Sequence, residues 1–242
     1  GRAVMFLGKS LQTAWKMPIK KHHLIQQMRF IGVDSFSIVF LTGLFSGLAL
    51  ALQSYIGFSR VGAEDFIGLV VTLGMTRELG PVLTGLMVTG RSGSAMTAEL
   101  GSMRISEQID ALSTLCINPI QYLVVPRILG STFIMPFLTT FAMFCGVVGG
   151  YIFCVHILGV SHENYFSIIQ ERVTLSDITG GLIKAACFGL LIAWVGSFNG
   201  YYTSGGARGV GVATTQTVVI GSILVLTANY ILSALLFQTG IG

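Results

Sequence analysis

Charge is scarce in this chain. Only 10% of its 242 residues are Asp, Glu, Lys or Arg, against roughly 25% in an ordinary soluble domain. So few charges cannot cover a water-facing surface, and a soluble globular protein is excluded. The four cysteines, Cys116, Cys145, Cys154 and Cys187, form no CxxC pair and no metal-type spacing, so they read as small hydrophobes. His22, His23, His156 and His162 come with no HExxH or carboxylate spacing. GxxxxGK[ST] is missing, so the chain does not cradle ATP phosphates in the usual way, and GxSxG is missing as well. The glycines of GGARGVG, residues 205–211, do not sit between a strand and a helix and read as a turn. No catalytic residue, metal ligand or cofactor of its own is expected.

Apolar residues fill the space that charge leaves. They make up 52% of the chain, and the mean hydropathy is +0.78. Charge-free runs cover 35–59, 128–155, 185–207 and 209–242. About 20 apolar residues suffice to cross a bilayer, so each run supplies one span. The stretch between Asp65 and Arg91 supplies another. The expected fold is an all-α integral membrane protein, a single domain with spans near 35–58, 66–97, 128–155, 178–200 and 212–237.

Basic residues orient these spans. An N-terminus inside the cell leaves Arg2, Lys9, Lys16, Lys20, Lys21, Arg29, Arg91, Arg104, Arg127 and Arg208 in the cytoplasm, and only Arg60 and Arg172 outside. That bias satisfies the positive-inside rule and places the C-terminus outside. The basic pI is then a matter of topology, and nucleic acid need not be invoked.

The first thirty residues do not read as a signal peptide, because Lys9 interrupts the apolar run and no small-residue cleavage site follows. The chain begins with Gly1 in place of Met, which leaves room for residues upstream. Val4, Leu7, Leu11, Ala14 and Trp15 share one helical face opposite Lys9, Gln12, Thr13 and Lys16. That pattern predicts an amphipathic helix lying in the cytoplasmic interface within residues 1–30.

The second span is charged and broken. Arg77 and Glu78 sit near its middle, about 17 Å past Asp65 at ~1.5 Å per residue, and ionisable groups at that depth usually mark a functional pathway. Gly80-Pro81 follows at once. Proline has no N–H, so the carbonyl of Arg77 loses its helical donor. A span that is charged and broken at one depth fits a transport site. The alternative is a pair that only pins two helices together. Lys184 lies in the fourth span, and either faces the same region or snorkels outward. Arg77 and Lys184 beside one carboxylate would leave net positive charge, which suits a phosphate. Leu48, Leu52, Tyr55, Leu79 and Leu83 could offer an acyl-chain surface around them. Gly43-xxx-Gly47, Gly146-xxx-Gly150 and Gly196-xxx-Gly200 predict close helix packing.

After the second span, Ile105, Ile109, Leu112 and Cys116 recur at helical spacing, with Arg104, Glu107 and Gln108 on a polar face. This predicts a short amphipathic helix near 99–116. It could coat the membrane or dock a cytoplasmic partner.

The run RELGPVLTGLMVTGRSGSAMTAELGSMRISEQIDAL, residues 77–112, resembles the signature block of MlaE-type permeases, membrane subunits of ABC transporters that work with MCE proteins. PRILGSTFIMP (126–136) and FNGYYTSGGARGVGVATTQTVV (198–219) are similar to that family too. Gln216 stands where some members carry a basic residue, so no charge role is expected there. The resemblance implies a homodimer in the cell inner membrane, moving glycerophospholipid between inner and outer membranes and so maintaining outer-membrane lipid asymmetry. It implies a cytoplasmic ABC ATPase dimer that binds ATP and Mg, a STAS-domain subunit on that ATPase, and a periplasmic MCE-protein hexamer. The 99–116 segment would be the coupling helix on the ATPase, with Glu99, Arg104, Glu107, Gln108, Asp110 and Leu112 as its contacts. Lipid would lie in a cavity at the dimer interface, near Arg77, Glu78 and Lys184. Two other classes stay open on the residues alone: a secondary transporter or channel, for which no internal repeat is evident, and an intramembrane lipid-modifying enzyme, for which the side-chain constellations are missing.

Overall fold

A computed structural model describes residues 1–16 and 21–238. Among these residues there is no strand. Among the described residues five helices are long and apolar enough to cross a membrane: His22–Phe58, Glu64–Ile105, Ile120–Ile157, Leu175–Tyr201 and Gly206–Gln238. The chain is an all-α integral membrane protein.

Each span runs past the boundaries expected from charge-free stretches. The first begins at His22 rather than 35, because a helix does not stop where lysines and histidines begin; only its apolar middle must lie in lipid. The N-terminal helix is correspondingly short, Arg2–Lys16. Phe6 and Ser10 are buried, whereas Val4, Met5 and Leu11 are exposed.

The chain divides into two compact units. The first combines Gly1–Ser35, Gly85–Met135 and Ala186–Thr227. Here the Phe6 ring packs against Phe198, Tyr201 and Tyr202, and Trp194 Nε1 donates to the Ala3 carbonyl (3.0 Å). Gly200 lets its helix close on the second span: a Cβ there would lie 2.7 Å from Leu100 Cβ. At that contact Thr97 Oγ1 sits 3.0 Å from the Gly196 carbonyl and 2.8 Å from Thr217 Oγ1, which accepts from Asn199 Nδ2 (2.9 Å).

The second unit combines Phe36–Thr84, Pro136–Ala185 and the stretch from Ala228. Its core is Ala51, Ile67, Val71, Met75, Cys154, Val160 and Tyr165. Tyr165 comes from a helix outside the spans, His162–Arg172, and burial pushes its phenol above the ordinary range. Gly43 faces Ala142, and Gly47 meets the backbone of Gly146, where an added Cβ would collide. The glycine pairs therefore serve close packing within the chain.

The expected helix over 99–116 is two helices. Ser94–Ile105 completes the second span, and Gln108–Thr114 stands apart. Between them Glu107 takes a left-handed φ of 57°, which ends the first helix. The apolar face read from sequence is divided accordingly. Ile109 is buried with Leu100 and Leu123, while Ile105 and Cys116 are exposed.

Candidate functional site

The break in the second span is a π-helical turn, Gly74–Leu79, in which the Gly80 N–H reaches the Met75 carbonyl five residues back. Such a turn accommodates the missing N–H of Pro81 and re-aims the side chains of Arg77 and Glu78. The Arg77 carbonyl, stripped of its helical donor by Pro81, accepts from Lys184 Nζ at 2.7 Å. The same ammonium donates to Glu78 Oε1 (2.8 Å) and Ser233 Oγ (2.7 Å). Three acceptors surround a group with three protons, and the Lys184 side chain is 4% exposed. It points inward and does not snorkel.

Glu78 is held from its other side as well. Asn229 Nδ2 donates to Oε2 (2.7 Å), and Ser233 Oγ lies 2.9 Å from Oε1. Asn229 Oδ1 is buried with no partner among the described residues.

Arg77 pairs with a residue that sequence reading misses. Its Nε donates to Asp177 Oδ1 (2.6 Å), and its Nη2 contacts the same oxygen. Asp177 also accepts from the Thr174 N–H (2.7 Å) and the Thr174 hydroxyl (2.9 Å) through Oδ2, capping the helix that starts at Leu175. The expectation of net positive charge is thereby corrected: two cations meet two carboxylates.

These groups line a cavity of about 340 Å³ together with Gly180, Gly181, Tyr230, Ala234, Leu236 and Phe237. The volume falls within the range of small-molecule sites, as does a mostly apolar wall with a few polar groups. Of the expected site residues, Arg77, Glu78 and Lys184 are on this wall. Leu48, Leu52, Tyr55, Leu79 and Leu83 are not. Tyr55 and Leu79 pack instead on the core around Ala51 and Met75. Leu48 packs near Gly149, Leu52 is exposed, and Leu83 is half-buried.

The residues expected to couple to an ATPase divide into two groups. Arg104 Nη1 bonds Asp110 Oδ1 (2.6 Å) and Gln108 Nε2 bonds Ser106 Oγ (3.0 Å), so these four and exposed Glu107 share one turn. Leu112 packs beneath, against Leu100, Ile109 and Leu123. Glu99 is drawn away to Arg127, a buried arginine 2.8 Å from its carboxylate.

A helical membrane bundle with paired charges along an apolar cavity has the build of a permease. The family model for Permease MlaE matches residues 24–235. A probable ABC transporter permease protein of Rickettsia conorii is 44% identical over 238 residues, covering 98% of this chain and 92% of the relative. The intermembrane phospholipid transport system permease protein MlaE of Haemophilus influenzae is 39% identical over 243 residues, covering 99% and 92%. A chloroplast protein of Arabidopsis thaliana, TRIGALACTOSYLDIACYLGLYCEROL 1, is 36% identical over 231 residues, covering 96% of this chain and 66% of its own length. The chain belongs to the MlaE permease family and is a membrane component of ABC transporter type.

Proposed function

We propose that this permease moves glycerophospholipid across the space between inner and outer membranes, and that its cavity holds the lipid during transfer. The observation that carries the reading is the cavity wall itself: half-exposed Arg77 and Glu78, set at a broken helix among Gly180, Gly181, Leu236 and Phe237. Charged groups in a low-dielectric recess interact with a headgroup far more strongly than in water. The name of the Haemophilus relative, an intermembrane phospholipid transport permease, supports the same substrate class. The protein works as a homodimer with its N-terminus in the cytoplasm of a cell with an inner and an outer membrane, and its C-terminus in the periplasm. Hydrolysis belongs to a separate ATPase dimer carrying a STAS-domain subunit, and an MCE-protein hexamer receives or delivers lipid on the periplasmic side. The Arg104–Asp110 turn with Glu107 docks the ATPase.

The test is co-purification from native membranes, followed by reconstitution in vesicles with isotopically labelled phospholipid. An ATPase should co-isolate, label should move only with ATP, and the permease alone should not hydrolyse ATP. Glu107→Lys should reduce hydrolysis by the complex while the permease still folds. ATP-independent lipid movement by the isolated chain would identify a secondary transporter and overturn the subunit reading.

A further inference from the structure

The four charges on the cavity wall are not equally available. Lys184 is 4% exposed and Asp177 is 1% exposed, whereas their partners Glu78 and Arg77 are 46% and 44% exposed. Each ion pair thus has a buried half that neutralises and an open half that lines the cavity. The wall presents one anionic edge and one cationic edge, side by side in sequence on the π turn, with no net charge.

Resting on the phospholipid reading, we propose that this arrangement selects zwitterionic phospholipids over anionic ones, the headgroup phosphate facing Arg77 and the ammonium facing Glu78. A zwitterionic headgroup brings a cation and an anion on a short linker, and the wall offers the complement of each. An anionic lipid such as phosphatidylglycerol brings a phosphate without a cation. It leaves Glu78 unanswered and adds an uncompensated negative charge to a recess that is already neutral, where charge is poorly screened. Specificity then comes from the repulsive edge as much as from the attractive one.

Variants that remove one edge at a time test this. Asp177→Asn keeps the shape of the side chain, and its carbonyl can still cap Thr174, but it frees Arg77 and makes the wall net positive. Glu78→Gln combined with Lys184→Met removes the anionic edge without stranding a buried cation. The assembled complex is incubated with vesicles of phosphatidylethanolamine and phosphatidylglycerol at equal mole fraction. Lipid retained after re-isolation is then quantified by mass spectrometry. The unmodified protein should retain phosphatidylethanolamine in excess by about fivefold, the scale of one modest charge interaction. Asp177→Asn should reverse the order, and the double variant should abolish it. If the unmodified protein retains both lipids in the vesicle ratio, or if whichever variant assembles keeps the unmodified preference, the selectivity proposal is wrong while the phospholipid reading stands. If it retains no phospholipid at all, both fall.

Discussion

Two arginines of the second span sit in π-helical turns, Arg77 in Gly74–Leu79 and Arg91 in Thr89–Gly93, and they are used in opposite ways. Arg91 is spent on its own protein. Its Nη1 reaches the Phe30 carbonyl (2.9 Å), Ser35 Oγ (3.2 Å) and Ser92 Oγ (3.2 Å), its Nη2 lies 3.0 Å from Asp34, and the guanidinium stands over the Phe30 ring. Arg77 spends Nε and Nη2 on one carboxylate oxygen and presents the remainder to a cavity. The backbone device is the same; the surroundings differ. An arginine at membrane depth is thus a weak sign of a site until one asks how much of it the fold has already used.

The largest effect should come from Glu78→Ala. It strands Lys184, a buried cation left with only neutral acceptors, and breaking such a pair costs about 3–5 kcal/mol. Thermal unfolding in detergent measures the loss, and Glu78→Gln with Lys184→Met should recover most of it. Arg77→Ala comes next. Asp177 keeps its two bonds from Thr174, so the stability cost is nearer 2–3 kcal/mol, roughly that of a charged hydrogen bond. Retained lipid per folded protein should drop about tenfold, the loss of one good charge contact. Arg91→Ala should cost about 1–2 kcal/mol, since Asp34 is half-exposed and can be hydrated. Its folded fraction should retain lipid normally. Equal lipid loss in the two arginine variants would erase the distinction between a tie and a site.

How much of this is visible in the residues follows from what each contributes to hydropathy. The five spans are legible because an apolar run of about 20 residues matches the thickness of a bilayer and is seldom needed elsewhere. Arg77, Glu78 and Lys184 are legible because charge inside such runs is conspicuous, and Pro81 announces the orphaned Arg77 carbonyl that Lys184 takes. Asp177 escapes notice because it falls at a span edge, where an acid looks like a solvated boundary. The Thr174-Leu-Ser-Asp177 spacing is the signal that could find it, as a helix start with its own carboxylate. Asn229 and Ser233 leave no mark, since one amide or hydroxyl scarcely dents an apolar stretch. The expected leucine and tyrosine wall fails for different reasons. For Leu79 and Leu83 the reason is the π turn, across which helical periodicity does not survive; Leu48, Leu52 and Tyr55 lie on the first span, none of whose residues lines the cavity. The break at Glu107 hides differently, behind an apolar period in the sequence that continues across it.

The smallest and sharpest comparison removes one hydroxyl from each arrangement. Ser35 is fully buried, lies 3.0 Å from Ser92 Oγ and accepts from Arg91. Ser35→Ala should cost about 1 kcal/mol, the usual net value of a hydrogen bond. It should leave lipid untouched, because Ser92 and the Phe30 carbonyl still hold the guanidinium. Ser233 accepts from Lys184 and lies against Glu78. Ser233→Ala should cost a similar amount or less, about 0.5–1 kcal/mol, since Lys184 keeps two acceptors. Stability alone does not separate the two variants. Lipid retention does: without Ser233, Glu78 loses one of the donors that aim its carboxylate along the cavity wall, so retained lipid should fall by about twofold. Unchanged retention in both would mean that Glu78 belongs with Arg91, as a residue the fold has wholly used.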